Sequence, residues 1–176
     1  MFIPGSVISL FTFPGVIVHE LAHLLFCKLC GLAVYEVCYF RFDTPAGYIV
    51  HENPKTSYQS LIIGLGPMSV NTLTGILIAF PSVYRYLNLD SIHILDIFLI
   101  WLAASIAMHS FPSLGDAKEV RKAINHSGAS PIARFIGKPI VGLLYICALG
   151  SFFWLDLIYG VLVVTLVPKL VISLLA

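Results

Sequence analysis

His19, Glu20, Leu21, Ala22 and His23 read H-E-x-x-H. On an α-helix, residues at i and i+4 share one face, a turn apart. Imidazoles at 19 and 23 can therefore supply part of a tetrahedral Zn²⁺ shell. Glu20 leaves the same turn and can act as general base on a zinc-bound water. Between positions 2 and 26 the only other polar side chains are Ser6, Ser9 and Thr12. Ionisable groups in so apolar a stretch are expensive in lipid and mark function by default. A hydrogen-bonded pair of structural histidines is the alternative; the metal reading gives the whole polar cluster a reason to be there.

Two histidines do not complete a site. Structural zinc is closed by four protein ligands, whereas catalytic zinc keeps one position open, so a third ligand is required. Asp116 is the leading candidate, His109 its rival and His51 a weaker one. Asp116 also suits a helix N-cap before Ala117-Lys118-Glu119. Asn71 lies in the middle of an apolar stretch, where it serves either as helix–helix glue or as a donor to a substrate carbonyl. Cys27 and Cys30 form C-x-x-C, readable as a redox pair or half a zinc knuckle. There is neither a second C-x-x-C nor a βαβ pattern, and packing at a helix end explains the two better.

The elements that must position these residues are dominated by apolar helices. The chain is 59% hydrophobic and 11% charged, with a mean hydropathy of +0.94; ordinary soluble domains are about 25% charged. The composition predicts an all-α polytopic membrane protein of four to five transmembrane helices, folded as a single membrane domain over 1–176. Spans are expected at about 4–29, 58–80 and 92–111. The first should end near Gly31, and the second should kink or loosen at Gly66-Pro67 and stop at Pro81. Residues 139–176 suit two apposed spans joined near Asp156, with a re-entrant or interfacial tail as the alternative.

Between the first two spans, 32–52 reads as a small interfacial β-hairpin: β-branched and aromatic residues at 34–42, turn chemistry at 43–47, and a second run at 48–51. A plain connecting loop is the other reading. A hairpin needs a protein-lined or interfacial place, and its edge suits an extended peptide. After the third span, Pro112 and Gly115 break the helix, a charged amphipathic segment occupies 117–124, and 125–131 is a loop.

A net charge of +1 gives no polyanion-binding character, so no nucleic acid is expected as a partner. The first residues lack a basic leader, so the first span is read as retained. Eight of the ten Lys and Arg fall in the intervals after the first and third spans. The positive-inside rule then places 32–57 and 113–139 in the cytoplasm and the N-terminus outside, in a cell (inner) membrane. His19, His23 and Asp116 would share one depth in that arrangement.

Taken together, these residues resemble the site-2 protease family of intramembrane zinc metalloproteases, as a compact, divergent relative. The points of contact are His19-Glu20-Leu21-Ala22-His23, the strand-like interval after it, Gly66-Pro67 with Asn71, and Asp116 at a Pro- and Gly-broken helix end. They cover 1–120, the family's three-helix core, and leave 121–176 as accessory helices. The second motif departs by one residue, Gly66-Pro67-Met68-Ser69-Val70-Asn71 for Gly-Pro-x-x-Asn. The third reads Leu114-Gly115-Asp116 for Leu-Asp-Gly.

The resemblance implies a Zn²⁺ cofactor held by His19, His23 and Asp116, with Glu20 as catalytic base and Asn71 in the substrate or oxyanion region. It implies hydrolysis of a peptide bond in a membrane-embedded or membrane-associated substrate. A non-catalytic metal-binding scaffold or chaperone-like subunit is the rival from another class. A transporter is weaker, because the charge sits in one motif and no internal repeat is evident.

Overall fold

The computed structural model describes residues 5–89, 91–126 and 129–175, with the main chain alone at position 6. Pro4, where the first span was expected to begin, and Ser127 and Gly128 of the expected 125–131 loop lie outside the described residues. The chain is mostly helical, with one two-stranded antiparallel sheet.

The first apolar stretch is two helices, not one: α1 (Gly5–Phe11) and α2 (Phe13–Leu29). Pro14 causes the break. It has no N–H to donate one turn back, and it sits in the first turn of α2, where none is needed. Thr12 at the junction turns its hydroxyl back to the Ile8 carbonyl at 2.7 Å. α2 ends as expected beside Gly31, at φ +68°, with Leu32 N–H on Cys27 O and Gly31 N–H on Lys28 O. Those two bonds satisfy carbonyls the helix leaves open, and glycine is the residue that adopts the left-handed turn without strain.

The hairpin follows as β1 (Val34–Cys38) and β2 (Tyr48–His51), pairing Cys38 with Tyr48 and Val34 with His51, with an irregularity between Val34 and Glu36. α3 (Ser57–Leu89) runs without interruption through Pro67 and Pro81, past the expected stop. Apolar helices tolerate proline where neighbouring helices enclose the freed carbonyls, and α3 packs on α2, α4, α5 and α7.

α4 (Ile94–Met108) is shorter than the span expected at 92–111. α5 (Leu114–Asn125) begins three residues earlier than the expected amphipathic segment. Its N-cap is Ser113, whose Oγ accepts from Asp116 N–H. Asp116 is thus the partner inside the first turn and not the cap itself. The C-terminal stretch forms α6 (Pro131–Gly150), a short 3-10 turn (Ser151–Phe153) and α7 (Leu155–Leu175), with the corner just before Asp156.

Among the described residues, three helices are long and apolar enough to cross a membrane: Ser57–Leu89, Pro131–Phe153 and Leu155–Leu175. α4 is apolar but of 15 residues, and α2 has 17. Large apolar side chains face outward along the long helices, Leu77 at 71% and Leu174 at 84% exposure, as expected of helices solvated by lipid. The inward contacts are small: a Cβ at Gly75 would meet Ala107 Cβ at 2.8 Å, and one at Gly160 would meet Met108 N at 2.8 Å. Small residues at such crossings let helix backbones approach where hydrophobic exclusion from water contributes little.

Candidate metal centre

α2 carries His19 and His23 with ring centroids 4.9 Å apart and planes at 74°. The turn between α4 and α5 brings Asp116 to them. His23 Nε2 lies 3.3 Å from Asp116 Oδ1, and His19 Nε2 lies 3.9 Å from Asp116 Oδ2. One ligand atom from each residue falls within 4.8 Å of the other two. Ligands bound tetrahedrally at about 2.0–2.2 Å from zinc stand roughly 3.3 Å apart, so the donors fit a metal with small adjustments. His23 is buried and the other two are half-buried.

The surroundings orient each donor. His19 Nδ1 is 2.6 Å from the carbonyl oxygen of His109. A carbonyl only accepts, so Nδ1 holds the proton and Nε2 keeps its lone pair toward Asp116 and His23. Such second contacts on ligating histidines fix tautomer and ring orientation. Asp116 Oδ2 accepts from the N–H and the O–H of Ser113, each at 2.8 Å, which leaves Oδ1 toward His23. The carboxylate also benefits from the positive end of α5. Burial raises the Asp116 carboxyl, but the neighbouring imidazoles of His23 and His19 outweigh it and hold the group well below the usual carboxylate range.

His109 belongs to the outer layer through both its carbonyl and its ring. Thr12 Oγ1 donates to Ile8 O, so at 2.9 Å it accepts from His109 Nε2. That nitrogen is committed as a donor and is turned away from the metal donors. His51 lines the same cavity, with Nδ1 2.8 Å from the Glu52 carbonyl. Neither ring joins the three-residue cluster.

Asn71 is fully buried and does not line the cavity. Its Nδ2 lies 3.2 Å from the carbonyls of Gly15, Ile106 and His109. The carbonyls of Ile106 and His109 lie at the C-terminal end of α4, where a helix has no donors of its own. Three acceptors around one position require the donor end of the amide there. Its Oδ1 has no hydrogen-bond partner among the described residues. Asn71 therefore ties α3, α2 and the end of α4 together at the carbonyl that orients His19.

Glu20 is buried one residue from His19 and lies beneath the hairpin loop. A Cβ at Gly47 would fall 2.7 Å from Glu20 Cγ and 3.0 Å from its Oε1. The loop is drawn shut over the acid by Arg41, whose N–H donates to Ala46 O at 2.7 Å and whose Nε donates to Pro45 O at 2.8 Å. His19, Glu20, His23 and Asp116 open onto a cavity of about 420 Å³. It continues to Ser151 and Asp156 at the corner of α6 and α7.

Cys27 and Cys30 are free thiols packed beside Leu32 and Ile63 at the end of α2. The sequence places Ser110 and Ser113 with Asp116 at the mouth of a polar cleft; Ser113 lines the cavity, whereas Ser110 is fully buried behind it. Thr72 Oγ1 reaches Ser110 Oγ at 3.0 Å and Tyr159 Oη at 2.8 Å, which braces the turn before Asp116. Ser113 had a signal: a serine three residues before an acidic residue is a capping-box pattern. Thr72 and Tyr159 are distant in sequence from the motif and carry no such signal. Comparison with known proteins finds no matching family model, no matching curated protein and no matching solved structure.

Proposed function

We propose that the chain is an intramembrane zinc metalloprotease related to the site-2 protease family, with His19, His23 and Asp116 as metal ligands and Glu20 as general base. The observation that carries the reading is the convergence of two imidazole nitrogens and a carboxylate within 4.8 Å on a cavity that also holds a buried Glu20. Three protein donors leave a position for water, the pattern of catalytic sites. Zinc held there supplies Lewis acidity and lowers the pKa of water from 15.7 to about 7.

The chain's own residues do the rest. Glu20 accepts the proton of the attacking water and delivers it to the leaving nitrogen. The hairpin loop keeps bulk water off Glu20, and the strand edge holds an unwound segment of a membrane-embedded or membrane-associated substrate. A substrate helix must unwind first, because its carbonyls are already hydrogen-bonded. In this reading α1 with α2, and α4, complete the membrane set to four or five crossings. The intervals 32–57 and 113–139 face the cytoplasm, by the excess of Lys and Arg they carry.

Glu20→Gln tests the chemistry. It should keep zinc and lose cleavage of a membrane substrate, whereas His19→Ala should lose both. Wild-type cleavage by Glu20→Gln would remove Glu20 from the mechanism. A non-catalytic metal-binding scaffold is the second reading, favoured only by His51 on the same cavity wall as a possible fourth donor.

A further inference from the structure

We infer that the cleft between α5 and α6 binds the phosphate headgroup of an anionic phospholipid. The cleft is open, about 580 Å³, and is lined by Lys118, Arg121, Lys122, Asn125, His126 and Tyr145. Lys118, Arg121 and Lys122 follow i, i+3, i+4 spacing, so the three cations share one face of α5. The opposite side of the helix is used elsewhere. Ala117, Val120 and Ile124 pack against Leu61 and Leu144, and Asp116 and Glu119 line the metal cavity.

The three cations are exposed, and among the described residues none has a carboxylate within ion-pair distance. Like charges at this spacing destabilise a helix, so an external anion would relieve the face. Position on α3 gives the depth. Ser57 Oγ donates to Ala123 O at 2.9 Å, and a Cβ at Gly64 would meet Val120 Cγ2 at 2.5 Å. α5 therefore lies along the first two turns of α3, about 10 Å at 1.5 Å per residue. α5 thus sits beside one end of a helix long and apolar enough to cross a membrane, which is where headgroups lie.

The apolar surroundings favour a lipid over a free anion. α6 is long and apolar enough to cross the membrane. Leu143, Ile146 and Leu149 are exposed on it beside Tyr145. A phospholipid can set its phosphate among the cations and lay its chains along this surface, with Tyr145 on the cleft wall. A soluble phosphate would use the cations alone.

The test is native mass spectrometry of the detergent-purified full chain with dioleoylphosphatidylglycerol, dioleoylphosphatidylcholine and, as competitor, glycerol phosphate. Phosphatidylglycerol should be retained over phosphatidylcholine, its retention should fall with added salt, and glycerol phosphate at equal concentration should not displace it. The K118Q/R121Q/K122Q variant should lose at least about tenfold in retention, since each cation near an anionic surface is worth a factor of roughly five. K118R/R121K/K122R should keep it. Equal retention of the two lipids, indifference to salt, or undiminished retention in the glutamine variant would overturn the assignment. Displacement by glycerol phosphate would overturn the lipid in favour of a small-anion site. The readout is lipid mass, so it stands apart from any loss of cleavage.

Discussion

The main-chain carbonyl of His109 lies 2.6 Å from Nδ1 of His19. A carbonyl at the frayed end of one helix thereby sets the tautomer of a histidine on another. The same oxygen is 3.2 Å from Asn71 Nδ2. The order of dependence runs from Asn71 to the end of α4, to His19, to the donor set.

Asn71→Ala should therefore weaken metal binding without touching a ligand. Outer contacts of ligating histidines are commonly worth about 10–100-fold in affinity, and that range is expected here. Leaving buried carbonyls unpaired should also cost about 1–3 kcal/mol of stability. Zinc competition with a chelator reads the first effect, and thermal unfolding in detergent reads the second. Unchanged zinc affinity would break the proposed chain of dependence.

Ser113 and Asp116 can be separated. Ser113→Ala removes the N-cap of α5 and should cost about 1 kcal/mol, with zinc bound more weakly but still at one per chain. Asp116→Asn removes the charge Oδ1 offers beside His23 and should leave the purified protein without stoichiometric metal. Zinc analysis of the two variants side by side checks this. Equal zinc loss in both would mean that Asp116 acts only through the helix cap.

Sequence spacing names the three residues that the fold brings together, His19, His23 and Asp116, and misses most of their supports. H-E-x-x-H needs only a helix to place two imidazoles together, and helix periodicity is local. The β2 segment was legible from its β-branched and aromatic residues between turn chemistry and a proline, and the pair of C-terminal helices from length alone. Proline misled at two positions. Pro14 breaks a stretch expected to be continuous, while Pro81, expected to end the second span, leaves α3 unbroken. Local rules describe what proline removes; whether a helix survives depends on neighbours that tertiary packing supplies. The roles of Asn71, Thr12 and the His109 carbonyl rest on contacts between residues 35–97 positions apart, and no local pattern encodes them.

Gly47 sits where any side chain would strike Glu20. Gly47→Ala should displace the acid or lift the loop while the three donors keep the metal. Misplacement of a reacting group by about 1 Å can cost roughly a hundredfold in rate, and a loss of that order is expected with zinc content unchanged. Parallel measurement of zinc and of substrate cleavage decides it. Loss of zinc together with activity would show that the loop supports the ligands and not the base.

Acidification should act through the histidines and not through Asp116. A carboxyl whose folded pKa lies below its unfolded value of about 3.9 adds stability that is complete above that pH. That stability is lost as pH falls through the lower folded value. Asp116 is held in that direction, so it stays ionised across the neutral and mildly acidic range. Ligands must be deprotonated to bind, and a metal site releases protons as it fills, so zinc retained on dialysis should fall on acidification while Asp116 is still ionised. No separate step should appear in the carboxylate range. A titration with its only inflection near pH 4 would contradict this assignment.

The measurement that reaches the centre most directly is X-ray absorption at the zinc edge on the detergent-purified protein, with metal content determined on the same sample. The account predicts one zinc per chain bound by two imidazoles and a carboxylate, retained in Glu20→Gln and lost in Asp116→Ala. A protein that purifies without stoichiometric metal, or an Asp116→Ala variant with the wild-type spectrum, would contradict it.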